Sequence, residues 1–463
     1  RSRVVELYKR GGDELFKSFS DLVLLIGTNP LPNYVVAKYF LKNNKQLERI
    51  WLICSGGTPR HEETIDLARN IREVIQKEFD FKAVNEVPLK NIGSVHSIMY
   101  DLRQNFTSRA SGDNVFHLNY TGGTKSMAVQ TYKFFESFGR QCSFSYLDGR
   151  DYRLKYDEEL QGVSGDLRYE IDLSLEDLIA LHGYEKKESQ ENPFYKETVK
   201  KFAELIEQDR LKDYLKWKQK TIREIYYDKD GEFIETINLF YKQNDLSNNE
   251  RINGLKQRFS TETPDNVLEL LKTFPKEKSI LDDSSNLWIP DKTVTKKEFK
   301  ERTKPTVKEF LDGKWLEAYV YDIIICSVKN DRKLKEVHEK GQIVIENNWK
   351  IKKKGSNKDF ELDVILLNGY QVCGISCTTS YKELECKNKG FEVIHRVRQI
   401  GGEDARAVLV TCFDREEKNV DGFYEDLKDQ TGSRSHEFLV LGLQELKPNR
   451  LWDKIRNHLW RDI

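Results

Sequence analysis

Apolar residues in the first third of the chain fall into short unbroken runs separated by amphipathic stretches. Residues 22–26 (LVLLI) and 50–54 (IWLIC) offer no polar side to water, which predicts strands buried on both faces of a parallel sheet. Between and after them the spacing changes to three and four. Val36, Tyr39 and Phe40 mark a helix over 33–43, and Ile65, Ala68, Ile71 and Ile75 mark one over 61–78. A short strand over 81–87 leads into a helix ending near Arg109. Residues 115–119 then predict a strand, 123–138 a helix, and 141–147 and 152–156 two further strands. Strict alternation of this kind predicts βαβ units and a parallel sheet covered on both sides.

The texture changes over 170–300, where charge-rich stretches such as 196–221 and 239–252 predict solvated helices without a chemical signature. Compact patterning returns at about 305. A helix is expected over 306–327, with Gly313 as a candidate break, followed by strands over 342–352, 360–367 and 370–377. A helix over 386–400 and strands over 406–413 and 437–445 complete the pattern. Asn368-Gly369 between the second and third of these strands is a strong hairpin signal. The fold expected is α/β, with an N-terminal Rossmann-like parallel sheet over 1–165, a mostly helical connecting segment over 166–304 and a C-terminal α/β domain over 305–463.

A length of 463 residues is too great for one ordinary core, in keeping with this division. Lysine plus arginine and aspartate plus glutamate both number 76, so binding to nucleic acid would require a local basic patch. Seven scattered cysteines without a CxxC pair point to reduced thiols in a cytosolic protein. Cys373, Cys377 and Cys386 lie close in sequence but lack zinc-site spacing and a fourth ligand. No apolar run approaches the length of a membrane span, and no secretory signal pattern opens the chain.

Three loops follow predicted parallel strands, where open α/β sheets bind ligands. They are Gly27-Thr28-Asn29-Pro30, Ser55-Gly56-Gly57-Thr58 and Asn119-Tyr120-Thr121-Gly122-Gly123-Thr124-Lys125-Ser126. Glycines let the backbone approach a ligand, hydroxyls donate to it, Lys125 adds charge, and the next helix aims free N–H groups at an anion. The spacing is not that of a Walker A loop. A nucleotide or phosphate site is expected here. Turn and cap chemistry explains any one loop alone, though less readily all three.

IGTNPLPN at 26–33 and NYTGGTKSMA at 119–128 resemble the signature loops of CRISPR-associated Rossmann-fold (CARF) domains. That resemblance implies a two-fold homodimer binding a cyclic oligoadenylate, with cyclic tetra-adenylate the expected ring, across its axis. It also implies a pocket lined by Thr28, Asn29, Ser55, Gly56, Thr58, Thr121, Gly122, Gly123, Thr124 and Lys125. Gly27, Pro30 and Asn119 belong to the same loops.

In the C-terminal part, Gly313-Lys-Trp-Leu-Glu317, Glu361-Leu-Asp363-Val and the following hairpin strand resemble the PD-(D/E)xK nucleases joined to CARF domains in type III CRISPR defence. The resemblance implies Mg²⁺ or Mn²⁺ held by carboxylates, with Asp363, Glu317 and Glu361 as metal-ligand candidates. Such ions activate water and polarise a phosphodiester of DNA or RNA. Ser376 and Thr378 stand where an ExK pair is expected. Glu361, on the same strand face as Asp363, is the candidate replacement acid. Lys387, placed on the face of Phe391 and Ile394, is the first candidate for the displaced lysine and Lys389 the second. Arg396, Arg398, Gln399 and Arg406 flank Gly401-Gly402 and are candidate phosphate binders. The reading is a ring-activated, metal-dependent nuclease. The alternatives are a sensor whose nuclease-like domain only binds nucleic acid or a partner, and a ring nuclease degrading its own activator.

Overall fold

The computed structural model describes residues 19–56, 63–110, 114–137, 142–157, 164–187, 195–236, 238, 240, 248–380, 382–414, 420–433 and 436–460. Strands β1 (Asp21–Leu25), β2 (Arg49–Ser55), β3 (Val84–Leu89), β4 (Phe116–Asn119), β5 (Cys142–Asp148) and β6 (Arg153–Tyr156) form a sheet in the order β3-β2-β1-β4-β5-β6. The first five are parallel, and β6 returns antiparallel along β5. Alternate residues of β1 feed two cores. Leu22 and Leu24 pack with Tyr34, Ile71 and Ile75. Val23 and Leu25 pack with Ile98, Leu102 and Phe106. The unbroken run at 22–26 thus reflects a strand covered on both faces. Strand order reverses between β1 and β4, so the loops after those strands open side by side.

The second sheet contains β7 (Tyr184–Lys186), β8 (Ile343–Lys353), β9 (Asp359–Asn368), β10 (Gln371–Thr378), β11 (Arg406–Thr411) and β12 (Phe438–Leu441), ordered β12-β11-β10-β9-β8-β7. β10, β11 and β12 are parallel, while β9, β8 and β7 alternate in direction. Gly369 adopts φ +61° in the predicted hairpin turn. The helix Glu383–Gly401 crosses from β10 to β11.

Two expectations change. The stretch expected to be mostly helical also supplies β7, an edge strand of the second sheet. Gly313 does not interrupt its helix. Lys296–Thr303, Lys304–Lys314 and Trp315–Asn330 run on continuously, the middle one with the wider turns of a π-helix. Between β7 and that run lie Lys196–Glu207, the consecutive helical pieces Leu211–Trp217, Lys218–Ile222 and Arg223–Tyr226, and the helices Asn248–Glu262 and Asp265–Leu271. Their apolar faces (Phe202, Tyr214, Trp217) bury against Phe310 and Trp315. The two sheets share a core: Leu22, Ile50 and Leu178 belong to the same buried cluster as Leu362, Val372, Val397 and Leu409.

Candidate functional site

The loops after β1 and β4 touch. A Cβ on Gly122 would lie 2.1 Å from the Leu25 carbonyl oxygen and 2.9 Å from Asn33 Oδ1, so only glycine fits. Asn33 is fully buried and donates through Nδ2 to the Leu25 carbonyl at 2.8 Å. Its Oδ1 has no partner among the described residues. Asn33 lies in the IGTNPLPN stretch but was not singled out by the sequence, because an Asn in a first helical turn usually reads as a surface residue.

A polar chain supports the second loop from below. His117 contacts Ser143 and Ser145 at 2.7 Å each, and Asn119 donates to Ser145 at 3.0 Å. Burial pushes the His117 imidazole down to about 3, so it is neutral. Asn119 Oδ1 accepts from the Thr121 hydroxyl at 2.7 Å, and that hydroxyl accepts from Leu147 N–H at 2.7 Å. Ser55 is clipped to Thr64, each accepting the other's backbone N–H at 2.9 Å. Thr124 caps the helix Lys125–Glu136. The hydroxyls of Ser55, Thr121 and Thr124 therefore shape the loops from within. Thr28, Gly56, Thr124 and Lys125 are exposed, Gly27, Asn29, Thr121, Gly122 and Gly123 half-buried, and Pro30 and Asn119 buried. Thr58 lies outside the described residues.

The carboxylate site is built from three elements. Asp363 on β9 is buried, and its Oδ2 accepts from Cys377 N–H at 2.6 Å and Ser376 Oγ at 3.1 Å. Ser376, where an acid was expected, thus orients Asp363. Glu317, on the first turn of Trp315–Asn330, is pushed up to about 8, chiefly by burial and then by the charges of Asp363 and Glu361. Burial also raises Asp363, opposed by the Cys377 N–H and the Lys389 charge. Glu361 shares the β9 face of Asp363 and lies 3.8 Å from Lys350 on β8. The cleft beside Glu317 has a volume of ≈ 650 Å³ and is bordered by Cys377 and Thr378 at the end of β10.

The helix Glu383–Gly401 separates its two lysines. Cys386, Gly390, Val393, Ile394 and Val397 form the buried stripe, and the lysines flank it on opposite sides. Lys387 forms ion pairs with Glu383 at 2.9 Å and Asp426 at 3.0 Å, away from the carboxylates. Lys389 is the lysine whose charge acts on Asp363 and Glu317. The sequence-based preference for Lys387 is corrected on this point, because an outward acid captures it.

The candidate phosphate binders at the far end of this helix are engaged within the fold. Arg396 stacks on Phe360, with 4.6 Å to the ring centre, and donates to Gln399 at 3.1 Å. Arg398 bonds to Ser433 and Glu437, and Arg406 to the His458 carbonyl. Cys373 and Cys377 face one core and Cys386 the other, so they form no zinc site. Among the described residues no three His, Cys, Asp or Glu side chains form a ready-made metal cage. Asp363 and Glu317 still suit Mg²⁺ or Mn²⁺, since such ions take one or two carboxylates and fill the other positions with water and phosphate.

The two sites are joined through the chain. A Cβ on Gly402 (φ +70°), just past that helix, would lie 1.9 Å from Asn29 Nδ2 in the first loop. Asn29 Oδ1 is also 3.3 Å from His182 Nε2. A cavity of ≈ 90 Å³ between the halves is lined by Asn29, Thr121, Tyr370, Gln371, Gly401 and Asp404 among others.

The family model described as the Card1 CARF domain matches residues 22–175. Residues 22–175 form a CARF domain. Protein VC1899 from Vibrio cholerae has the same fold, with a TM-score of 0.58 at 14% identity over 95% of this chain and 98% of that one. Can2 from Sulfobacillus thermosulfidooxidans, solved with cyclic tetra-adenylate, gives a TM-score of 0.55 at 14% identity over 96% and 98%. The likeness covers the CARF domain, the helical segment and the second α/β domain together. No curated protein sequence matches the chain.

The Glu317 environment sets a pH dependence. Without metal the folded protein holds a proton near pH 8 that an unfolded glutamate releases at about 4.5. The contribution is full below 4.5 and is lost as pH rises through 8. In EDTA, the Tm of Glu317→Gln should therefore match wild type near pH 5 and exceed it near pH 8. Mn²⁺ should raise the wild-type Tm at pH 8 and leave the variant unchanged. Parallel pH profiles would show that Glu317 is not raised.

Proposed function

We propose that this chain is a cyclic-oligoadenylate-activated, metal-dependent nuclease effector of type III CRISPR antiviral defence, acting on DNA or RNA. The observation that carries this reading is the buried Asp363 whose charge acts on Glu317, a half-buried acid lining a wide cleft, in a chain whose other sheet is a CARF domain. The fold shared with ring-bound Can2 supports cyclic tetra-adenylate as the activator.

The ring binds on the exposed side of the loops. A single chain offers Gly27–Pro30 and Thr121–Lys125 as one edge, and a two-fold partner presents the same edge to a symmetric ligand. Val95, Tyr100 and Val129, three of the four exposed large apolar residues among those described, lie on the adjacent helices Val95–Ala110 and Lys125–Glu136 and suit a homodimer contact.

At the carboxylate site, Asp363 and Glu317 hold the Mg²⁺ or Mn²⁺, with Glu361 beside them. The ion supplies Lewis acidity toward the phosphate and toward attacking water. Ser376 and the Cys377 N–H hold Asp363 in place. Lys389 supplies the positive charge that Thr378 cannot. Ring binding reaches this site through Asn29, Gly402 and the helix bearing Lys389, since a packed helix moves as a unit. The replaced ExK pair favours a second reading, in which this domain binds nucleic acid without cutting it. Degradation of the ring in the CARF domain has less support, because the Ser55, Thr121 and Thr124 hydroxyls are engaged within the loops.

Titration calorimetry should give one cyclic tetra-adenylate per dimer, and Gly122→Val should abolish binding because its Cβ meets the Leu25 carbonyl. A ratio of one ring per chain would count against the shared pocket. Asp363→Ala should end cleavage of labelled plasmid, single-stranded DNA and RNA while leaving ring affinity intact; no cleavage by wild type under any condition would favour the binding-only reading. Lys389→Ala should lower turnover by roughly 10²–10³, whereas Lys387→Ala should change it little. Gly402→Ala, which displaces Asn29, should reduce the ratio of activated to basal cleavage even at saturating ring. An unchanged ratio would place the coupling elsewhere.

A further inference from the structure

The arginines expected to bind phosphate are engaged in other contacts and lie toward the end of Glu383–Gly401 away from the acids. The cleft itself has a different source of positive charge. Its wall opposite β10 is made by the helical segment between the sheets and by the π-helical stretch Lys304–Lys314. From the inter-sheet segment come Lys218 and Arg223, and from the π-helical stretch come Lys304, Lys308 and, at its end, Lys314, whose charge acts on Glu317.

These groups divide into a strut and a rail. Lys218 is buried and donates to the Asp312 carbonyl at 3.0 Å and the Thr379 hydroxyl at 3.2 Å. Thr379 follows the last residue of β10, so this side chain pins the helical segment to the mouth of the cleft. Arg223 and Lys308 are exposed and Lys304 is half-buried. Arg223 lies 5.6 Å from the Tyr227 ring centre and its charge acts on Glu385, and that of Lys304 acts on Glu235, but among the described residues none of the three stands in a close ion pair. Two of the cleft's acids are already answered, Asp312 by Lys218 at 3.5 Å and Glu385 by Lys382 at 2.9 Å, which leaves Glu309 against the rail. Lys304 and Lys308 stand one turn apart on a stretch with i→i+5 bonding, a form frequent at functional sites. In a chain with no net charge, three cations outside close ion pairs along one cleft that reaches Glu317 form a local track for an anionic ligand.

We propose that Arg223, Lys304 and Lys308 bind the sugar-phosphate backbone of the strand to be cut and lead it to Asp363 and Glu317. The helical segment is then half of the nucleic-acid site as well as a connector. This rests on the nuclease reading above and adds where the substrate is held.

The test uses the full chain with saturating cyclic tetra-adenylate and Asp363→Asn to stop cutting. Anisotropy is read on labelled single-stranded DNA, single-stranded RNA and duplex DNA over a range of salt, and the three probes distinguish the source of the phosphates. Adding Arg223→Glu, Lys304→Glu and Lys308→Glu should weaken binding by roughly 10-fold or more and flatten the salt dependence by about 0.7–0.9 per lost phosphate contact. Ring affinity and Tm should not change, and Lys454→Glu, on the exposed face of Pro448–Leu459, should have no effect. If the reversals unfold the protein, Lys304→Gln with Lys308→Gln should show the same loss at smaller size. Unchanged affinity and slope in a folded variant of a protein that does bind nucleic acid would overturn the rail and leave the nuclease reading standing. A protein that binds none of the probes would overturn both.

Discussion

Leu22, Leu24 and Ile50 on one face of the CARF sheet bury into the same apolar core as Leu362, Leu367 and Val372 of the second sheet. That shared core is the constraint on which the rest of the molecule depends. Domains joined only by a linker move independently by default. Here a displacement at a CARF loop meets packed side chains, and packed interiors shift between discrete arrangements instead of yielding smoothly. Tyr152 of the CARF domain accepts a hydrogen bond from Gln371 of β10 at 2.6 Å, and Gln342 donates to the Tyr169 carbonyl, so polar contacts fix the register of the same boundary.

The carboxylate site shows the opposite economy. A buried acid is costly unless hydrogen-bonded or paired. Asp363 receives a backbone N–H and a hydroxyl, whereas Glu317 is raised far enough to keep its proton near neutral pH. Burial that raises both acids, with Glu361 adding its charge to each, leaves unspent attraction for a cation. Ser376 removes one acid from the expected motif and so lowers the repulsion. Its hydroxyl stabilises the remaining one. The substitution that looks like a loss in sequence therefore has a structural role at Asp363.

The sequence shows most clearly what depends on local periodicity. The runs at 22–26 and 50–54 become the central strands β1 and β2, and Asn368-Gly369 becomes the hairpin turn. The CARF loops are legible because glycine is required wherever one backbone passes within contact distance of another, as Gly122 passes the Leu25 carbonyl. What fails is whatever depends on a partner distant in sequence. The helical phase placed Lys387 close to the buried side, as it is, but Asp426 from a later helix decides where its ammonium group goes. Three residues, YEK, are too few to signal β7, which exists because β8 offers an unpaired edge. The hydroxyls of Ser55 and Thr121 read as ligand donors because their true partners, Thr64 and Leu147, are brought in by the fold.

The same limit explains how Gly401-Gly402 reads in sequence. Flanked by Arg396, Arg398 and Arg406, it has the composition of a phosphate-binding turn. In the fold those arginines hold Phe360, Glu437 and the His458 carbonyl, and the glycines leave room for Asn29 and for Val372. One element thus has two functional ends separated by roughly 20 Å of helix. Its first half carries Lys389, whose charge acts on the acids, and Gly402, just past its last turn, meets Asn29 in the loop after β1. Its buried stripe, seated on β10 and β11, prevents either end from moving alone. A single buried helix thus spans from the acids to the CARF loop after β1, with no separate element between them.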